Sequence, residues 1–399
     1  MKFFENLIFK SGGESNYRIP SVITTKKGTV LAFCNDRKGT LDDHAEVASL
    51  CLARKEAGRD FEEVRELCTL EGFHFLIGCA VYDENTDTAF VFAEVLGASV
   101  NEFGKYTEQE LLEIRRRERE HAQAQGIKLG TLLLKSTDDG ITWTENYIEY
   151  EKAEYTHTDG RKLLAQGRTH GGSHGITLRH GKYAGRLLCP SRIMDIARYT
   201  NSEELCASVY NNAVYSDDHG VSWHTSAPVQ LGTGEGTLIE RADGTVLYNS
   251  RAYFDDNKRY MAISVDGGAN YGDFYTDDFL LEPQFGCNAS FIRIELDELS
   301  EAEKVLLPDG VQDVTVFVNP RFPNARRNMS ACVSFDGGAS YSHVKLFTTD
   351  PCAYSSLDYS SETSEFCLIY EKGVPENPDN PYKLGITSVI FDLEWLLSE

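Results

Sequence analysis

STDDGITW, residues 136–143, decides the fold, because the same spelling returns three more times. SDDHGVSW occupies 216–223, SVDGGANY 264–271 and SFDGGASY 334–341. In each copy an aspartate (Asp138, Asp218, Asp266 or Asp336) can accept backbone N–H bonds within a turn. The glycine two residues on (Gly140, Gly220, Gly268 or Gly338) can take positive φ. The motif therefore reads as a hairpin turn whose closing aromatic packs beneath it and locks the hairpin to its neighbour. The copies start 80, 48 and 70 residues apart. That spacing is too irregular for a short solenoid repeat and suits sheet modules of about four strands carrying variable insertions, as in propellers.

The text between the copies agrees. TVLAFCND, TAFVFAEV, GTVLYNSR, DVTVFVN and FCLIYE are short β-branched and aromatic runs bounded by Gly, Asp and Asn. Helical patterning is sparse. Its clearest instance is Thr107 to about Gln125, where Thr107 and Glu110 spell a capping box and Leu111, Leu112 and Ile114 make a narrow apolar stripe. A second, shorter helix is expected through Leu296 to Val305. No composition break or Pro/Gly/Ser-rich linker interrupts the chain, so residues 1–399 are read as a single domain.

Composition removes several function classes. The chain has 62 acidic and 39 basic residues, a formal charge of −23, which argues against nucleic acid or an anionic membrane as partner. With 41 % hydrophobic residues it has an ample core. No apolar run reaches the roughly 18 residues of a transmembrane segment. MKFFENLIFKSGGE carries Glu5 and Lys10 in or beside its short apolar stretch and no small-residue cleavage site, so it is not read as a signal peptide. The ten cysteines are scattered without a C-x-x-C pair, as buried free thiols would be. The expectation is a cytoplasmic protein. HGGSH places His170 and His174 four apart, but it is too glycine-rich for a helical metal site.

Arginines and acids recur at strand edges. Arg18 stands in Tyr17-Arg18-Ile19-Pro20, Arg251 ends GTVLYNSR, and Arg326 and Arg327 precede NMSACVSFDGG. In a propeller, strand ends distant in sequence converge on one mouth. Arginines gathered there in so acidic a protein must face an anion, either the chain's own acids or a ligand, and Arg is suited to forked recognition of a carboxylate. Asp42 and Asp43 lie in RKGTLDDHAE, Glu235 is flanked by glycines in LGTGEGTLIE, Tyr354 lies in CAYSSLD, and Glu371 ends LIYE.

Together these segments resemble the exo-sialidases (neuraminidases), and RKGTLDDHAE and AVYDENTDTAFVF are most similar to the animal cytosolic-type members. The resemblance runs from about Tyr17 to the C-terminus, broken mainly by the helical insertion. It implies an all-β fold, a six-bladed β-propeller of four-stranded antiparallel sheets, and hydrolysis of terminal α-linked sialic acids. Carried over by position, it makes Arg18, Arg251 and Arg326 the triad that grips the sugar carboxylate. Arg326 is chosen over Arg327 because the family pattern leaves one residue between this arginine and the asparagine before the box strand. It makes Tyr354 the nucleophile, Glu235 the acid that activates it, Asp42 the acid/base, Glu371 the acid that orients Arg18, and Arg37 an additional arginine near the carboxylate. The implied partners are sialylated oligosaccharides, glycoproteins or glycolipids, with no metal or organic cofactor.

The chemistry accounts for these residue types. A carboxylate nucleophile would have to approach the sugar's own carboxylate, and two like charges about 4 Å apart at an effective dielectric near 20 repel by roughly 4 kcal/mol. A neutral tyrosine avoids that cost, and sialidases are a recognised exception to the paired-carboxylate scheme of glycosidases. Free tyrosine has a pKa near 10, so Glu235 and nearby arginines are expected to favour phenolate character. Several segments depart from the family pattern. Tyr17 replaces the usual Phe, CLARKEAGRDFEEV stands where a first box is expected, Gly78-Cys79 replaces Asn-Pro, and GGSHGITL and LLCPSRIMD differ as well. By the resemblance, these segments would shape the pocket floor. Alternatives are therefore the same machinery hydrolysing or transferring a related ulosonic acid, or a non-catalytic sialoglycan-binding propeller. A pure binder has no use for Tyr354, Glu235 and Asp42 together.

Overall fold

The computed structural model describes residues 1–43, 45–97, 107–156, 160, 162–165, 167–169, 171–194 and 209–399. Among them, strands arrange in antiparallel sheets of four. The first sheet holds Tyr17–Thr24, Val30–Arg37, Val47–Lys55 and Arg65–Glu71, and the second His74–Asp83, Thr88–Leu96, Gly130–Ser136 and Thr144–Ile148. The third runs Ile176–Thr177, Leu187–Met194, Val209–Ser216 and Trp223–Thr225, and Tyr150–Glu151 joins its outer edge in parallel. The fourth holds Thr233–Glu240, Val246–Ala252, Lys258–Ser264 and Gly272–Leu281. Two further sets of four merge into one seven-stranded sheet, because the 18-residue strand His343–Ser360 is outermost in one set and innermost in the next. The N-terminal strand Phe3–Lys10 pairs with Gly385–Phe391 and completes the last set.

The hydrophobic effect closes these sheets into a ring. Each is buried on both faces, so a separate apolar cluster fills every interface. Phe33 and Leu50 meet Phe75 and Val91 between the first and second sheets, and Val22 and Cys51 meet Ile369 and Ile386 between the last and the first. The chain is a β-propeller.

The four boxes are hairpin turns. In the second copy Asp218 accepts from the Ser216 hydroxyl at 2.8 Å, the Ser222 N–H at 2.8 Å and the Ser222 hydroxyl at 2.6 Å. Thr142, Asn270 and Ser340 donate in the same way in the other copies, so the residue before the closing aromatic is a side-chain donor every time. The box glycine is needed twice over. Gly220 has φ +81°, and a Cβ there would stand 2.5 Å from Phe90 of the preceding sheet. Trp143 lies edge-on to Phe33, and Trp223 to Phe92, each one sheet back. Tyr271 instead meets Tyr248 of its own sheet. Where no first box is legible, Arg54 takes over: it bonds Glu56, Glu62 and Asp139 of the neighbouring box turn.

Helix α1 spans Glu108–Ala124 with the Thr107–Glu110 capping box formed. Leu112 is exposed, the Leu111 side chain lies outside the described residues, and Ala122 with the His121–Phe73 ring contact does the docking. The second helix is shorter than expected, Glu301–Lys304 only, with its own capping box from Ser300 and Glu303. Nine of the ten cysteines are described, all of them free thiols; Cys206 lies outside the described residues. Among the described residues no helix is long and apolar enough to cross a membrane.

Candidate active site

Strand direction sorts chemistry from scaffold. The innermost strand of each sheet starts at one end of the ring, the second strand returns to it, and the third leaves again. Box turns, which join third to fourth strands, therefore lie at the far end. The near end, the mouth, receives the starts of innermost strands, with Arg18, Glu235 and Tyr354, and the last residues of second strands, with Arg37, Arg251 and Glu371. Innermost strands bulge there: register slips between Arg18 and Ser21, Ile77 and Ala80, Thr233 and Gly236, and Cys352 and Ser355. A bulge bends a strand and re-aims its side chains, here toward the channel axis.

Tyr354 is the centre. It is 7 % exposed, and its hydroxyl donates to Glu235 Oε1 at 2.6 Å while accepting from Arg251 Nη1 at 2.8 Å. The same Arg251 nitrogen is 2.7 Å from Glu235 Oε2. Around the ring stand three guanidinium carbons, Arg326 at 5.5 Å, Arg18 at 5.9 Å and Arg251 at 6.0 Å from its centroid. The glycines flanking Glu235 admit tyrosines: a Cβ on Gly234 would meet the Tyr253 hydroxyl at 2.1 Å, and one on Gly236 would meet Tyr248 at 2.2 Å.

Glu371 ties two strands to this centre. Its Oε1 accepts from Arg18 Nε at 2.6 Å and from the Ile19 N–H at 2.8 Å, and its Oε2 accepts from the Tyr354 N–H at 3.1 Å. Ile19 is held at φ 63°, a strained value for a β-branched residue. Arg37 and Arg18 both donate to the Leu41 carbonyl, at 2.9 and 3.3 Å. Arg37 is buried, yet its Nε and Nη2 have no partner among the described residues, and burial followed by the nearby Arg18 charge lowers its pKa. Asp42 follows Leu41 at the rim. Its carboxylate is exposed and makes no hydrogen bond or ion pair among the described residues, whereas Asp43 pairs with Arg37 at 2.7 Å.

Sequence reading missed the loop that aims two of the arginines. Arg251 Nε donates to the Phe285 carbonyl at 3.2 Å, and Arg326 Nη2 to the next carbonyl, Gly286, at 3.1 Å. Phe285 and Gly286 both have positive φ, and the buried Arg259–Glu282 pair at 2.6 Å anchors the loop. Arg327 points elsewhere, donating to Thr349 O at 3.0 Å. Tyr382, also missed, stacks on Arg18 with 3.7 Å from guanidinium carbon to ring centroid. A tyrosine in a loop carries no signal of that contact.

A family model described as a BNR repeat-like domain matches residues 113–365. The chain is 27 % identical over 392 residues to a sialidase of Micromonospora viridifaciens, covering 96 % of this chain and 52 % of that protein. The chain belongs to the exo-α-sialidase family. Sialidase-2 of Rattus norvegicus is 26 % identical over 374 residues, 90 % of this chain and 89 % of that one. Among solved structures, the intramolecular trans-sialidase of Ruminococcus gnavus superposes with a TM-score of 0.69 at 16 % identity, covering 98 % of each chain, and shares the fold. This sialidase-family chain thus spans about half the length of the bacterial relative and most of the rat one.

One electrostatic feature of this family member differs from expectation. Burial and the Glu235 carboxylate hold the Tyr354 phenol well above the ordinary tyrosine value; Arg251 and Arg326 pull the other way without prevailing. The phenol is therefore protonated, contrary to the phenolate character expected from the arginines. A cavity of about 580 Å³ also exists, but at the box end, lined by Thr24, His174, Arg179, Glu240, Arg293 and Asp358. His174 is buried there, while His170 lies outside the described residues.

Proposed function

We propose that this chain is a retaining exo-sialidase that removes terminal α-linked sialic acids from glycoconjugates, on a six-bladed propeller formed by residues 1–399. One observation carries the reading: a buried phenol hydrogen-bonded to a carboxylate at 2.6 Å, with three guanidinium groups 5.5–6.0 Å from its ring. Arg18, Arg251 and Arg326 grip the sugar carboxylate, and the unpartnered Arg37 nitrogens add donors beside them.

In the first step the Tyr354 oxygen bonds to the anomeric carbon as the glycosidic C–O bond breaks. The phenol proton passes to Glu235, and Asp42 gives its proton to the leaving oxygen. In the second step water attacks the same carbon, Asp42 takes the water proton, and Glu235 returns its proton to the departing phenolate. Two inversions give retention. A neutral phenol suits this sequence, because Glu235 removes the proton only as charge develops on oxygen. Cytoplasmic location is part of the reading, supported by the acidic composition and the buried free thiols.

The test follows an aryl α-ketoside of N-acetylneuraminic acid by proton NMR, beside a sialyl oligosaccharide. The α-anomer of the free sugar should appear first. Asp42→Ala should slow the oligosaccharide by about a hundredfold more than the aryl substrate, which needs little protonation. A β-anomer as first product, or no release at all, would overturn the reading.

A further inference from the structure

Two arginines of the third sheet stand at the mouth and take no part in that scheme. Arg168 and Arg192 face each other across an antiparallel bridge, their backbones bonded at 3.2 and 3.1 Å. Arg192 lies near the end of a second strand, as Arg251 does one sheet further on. Its Nη1 donates to the Tyr253 hydroxyl at 3.2 Å, and the Tyr253 ring lies 4.8 Å from the Arg251 guanidinium carbon. Contact thus runs from the Tyr354 cluster through Tyr253 to Arg192 and Arg168. Arg115 of α1 stands close enough for its charge to be felt at Arg168.

These guanidinium groups are not neutralised as structural ones are. Arg54, Arg186, Arg259 and Arg293 each pair with a carboxylate. Among the described residues Arg168 and Arg192 make no ion pair, and the side chain of Arg168 makes no hydrogen bond. The acid whose charge is felt at Arg168 is Glu94, buried, bonded to the Thr131 hydroxyl and pushed up to about 7 by burial, so near neutral pH it is only partly charged. Three guanidinium groups beside one half-ionised carboxyl leave a net positive arm in a chain of charge −23. Forked donors of this kind bind carboxylate, sulfate or phosphate oxygens.

We propose that Arg168 and Arg192 form a second anion subsite, selecting substrates that carry a further acidic group besides the one gripped at Tyr354. This rests on the sialidase reading of the mouth. The second anion can belong to the leaving group, as in an α2,8-linked disialyl unit, or be an ester on the sialic acid's own side chain.

The experiment measures calorimetric binding to Tyr354→Phe and turnover by the wild type. The probes are α2,3-sialyllactose, α2,8-disialyllactose, and sialyllactose bearing a sulfate ester on the sialic acid side chain. One dianion should bind and turn over at least about tenfold better than the monoanion at low salt, and the gain should shrink at high salt. Which dianion gains identifies the source of the charge. The double variant Arg168→Gln/Arg192→Gln should lose the preference while holding monoanion affinity within about threefold, and Arg192→Lys should keep most of it. Monoanion binding with no preference for either dianion, or a preference surviving in the double variant, sinks the subsite alone. Failure of every sialoside to bind sinks the sialidase reading and the subsite with it.

Discussion

Each box aspartate is held by several donors, whereas at the mouth buried guanidinium donors stand without partners among the described residues. Asp218 has three donors, and its pKa is held down by them, although its partial burial opposes the shift. At the mouth Arg37 is 2 % exposed with two unpartnered nitrogens, and Ile19 is held at a positive φ. A buried donor without a partner costs about 1–3 kcal/mol, and a strained backbone angle a similar amount. The box turns contribute stability; the mouth gives some of it up in unpartnered donors and a strained backbone angle.

Substitutions at the two ends should therefore separate activity from stability. The largest effect is expected for Tyr354→Phe, which should cut kcat at least about a thousandfold. Its melting temperature should stay near that of the wild type. A variant that melts several degrees lower and keeps its turnover would reverse the assignment of the mouth. Next, Arg326→Ala should lower kcat/KM by about a hundredfold, and Arg327→Ala by no more than about threefold. Equal losses in the pair would remove the contrast seen in their partners, Gly286 and Thr349.

Asp218→Ala tests the other end. Losing the turn's hydrogen bonds should cost about 1–2 kcal/mol, a few degrees in Tm, with kcat unchanged. The smallest effect concerns pH. The box aspartates have lowered pKa values, Asp138 to about 2, so their stabilisation is present above the unfolded value near 4 and is lost as pH falls below it. Asp358, buried and pushed up to about 7, works in the opposite sense. The folded chain keeps its proton between about pH 4 and 7 while the unfolded chain loses it, so stability falls as pH rises through that window. Asp358→Asn should flatten this decline, by roughly 1 kcal/mol, in denaturant titrations at pH 6 and 7. An unchanged slope would show that Asp358 does not bind its proton more tightly in the folded chain.

Legibility followed the range of the interactions. The box turns and the α1 capping box could be read because donor, acceptor and glycine fall within about eight residues of one another. The length of the second helix could not be, because Leu296 and Leu307 pack against the core from outside the helix. Arg54 serving in place of a box was equally hidden, since its partner Asp139 belongs to the next sheet. At the mouth the residue types were legible from the family resemblance, but their surroundings were not. The protonated Tyr354, the Phe285–Gly286 carbonyls and the stacked Tyr382 depend on groups brought together by ring closure.

The sequence alone determined that hairpin turns recur, that short β-branched and aromatic strands lie between them, and that arginines, acids and a tyrosine stand at strand ends. Those properties are local, set by hydrogen bonds and side-chain alternation within a few residues. Only the tertiary structure decided which arginines face Tyr354 and which face solvent or a backbone carbonyl. The Arg18–Glu371 pair joins residues 353 apart, and that contact forms only when the last sheet packs on the first.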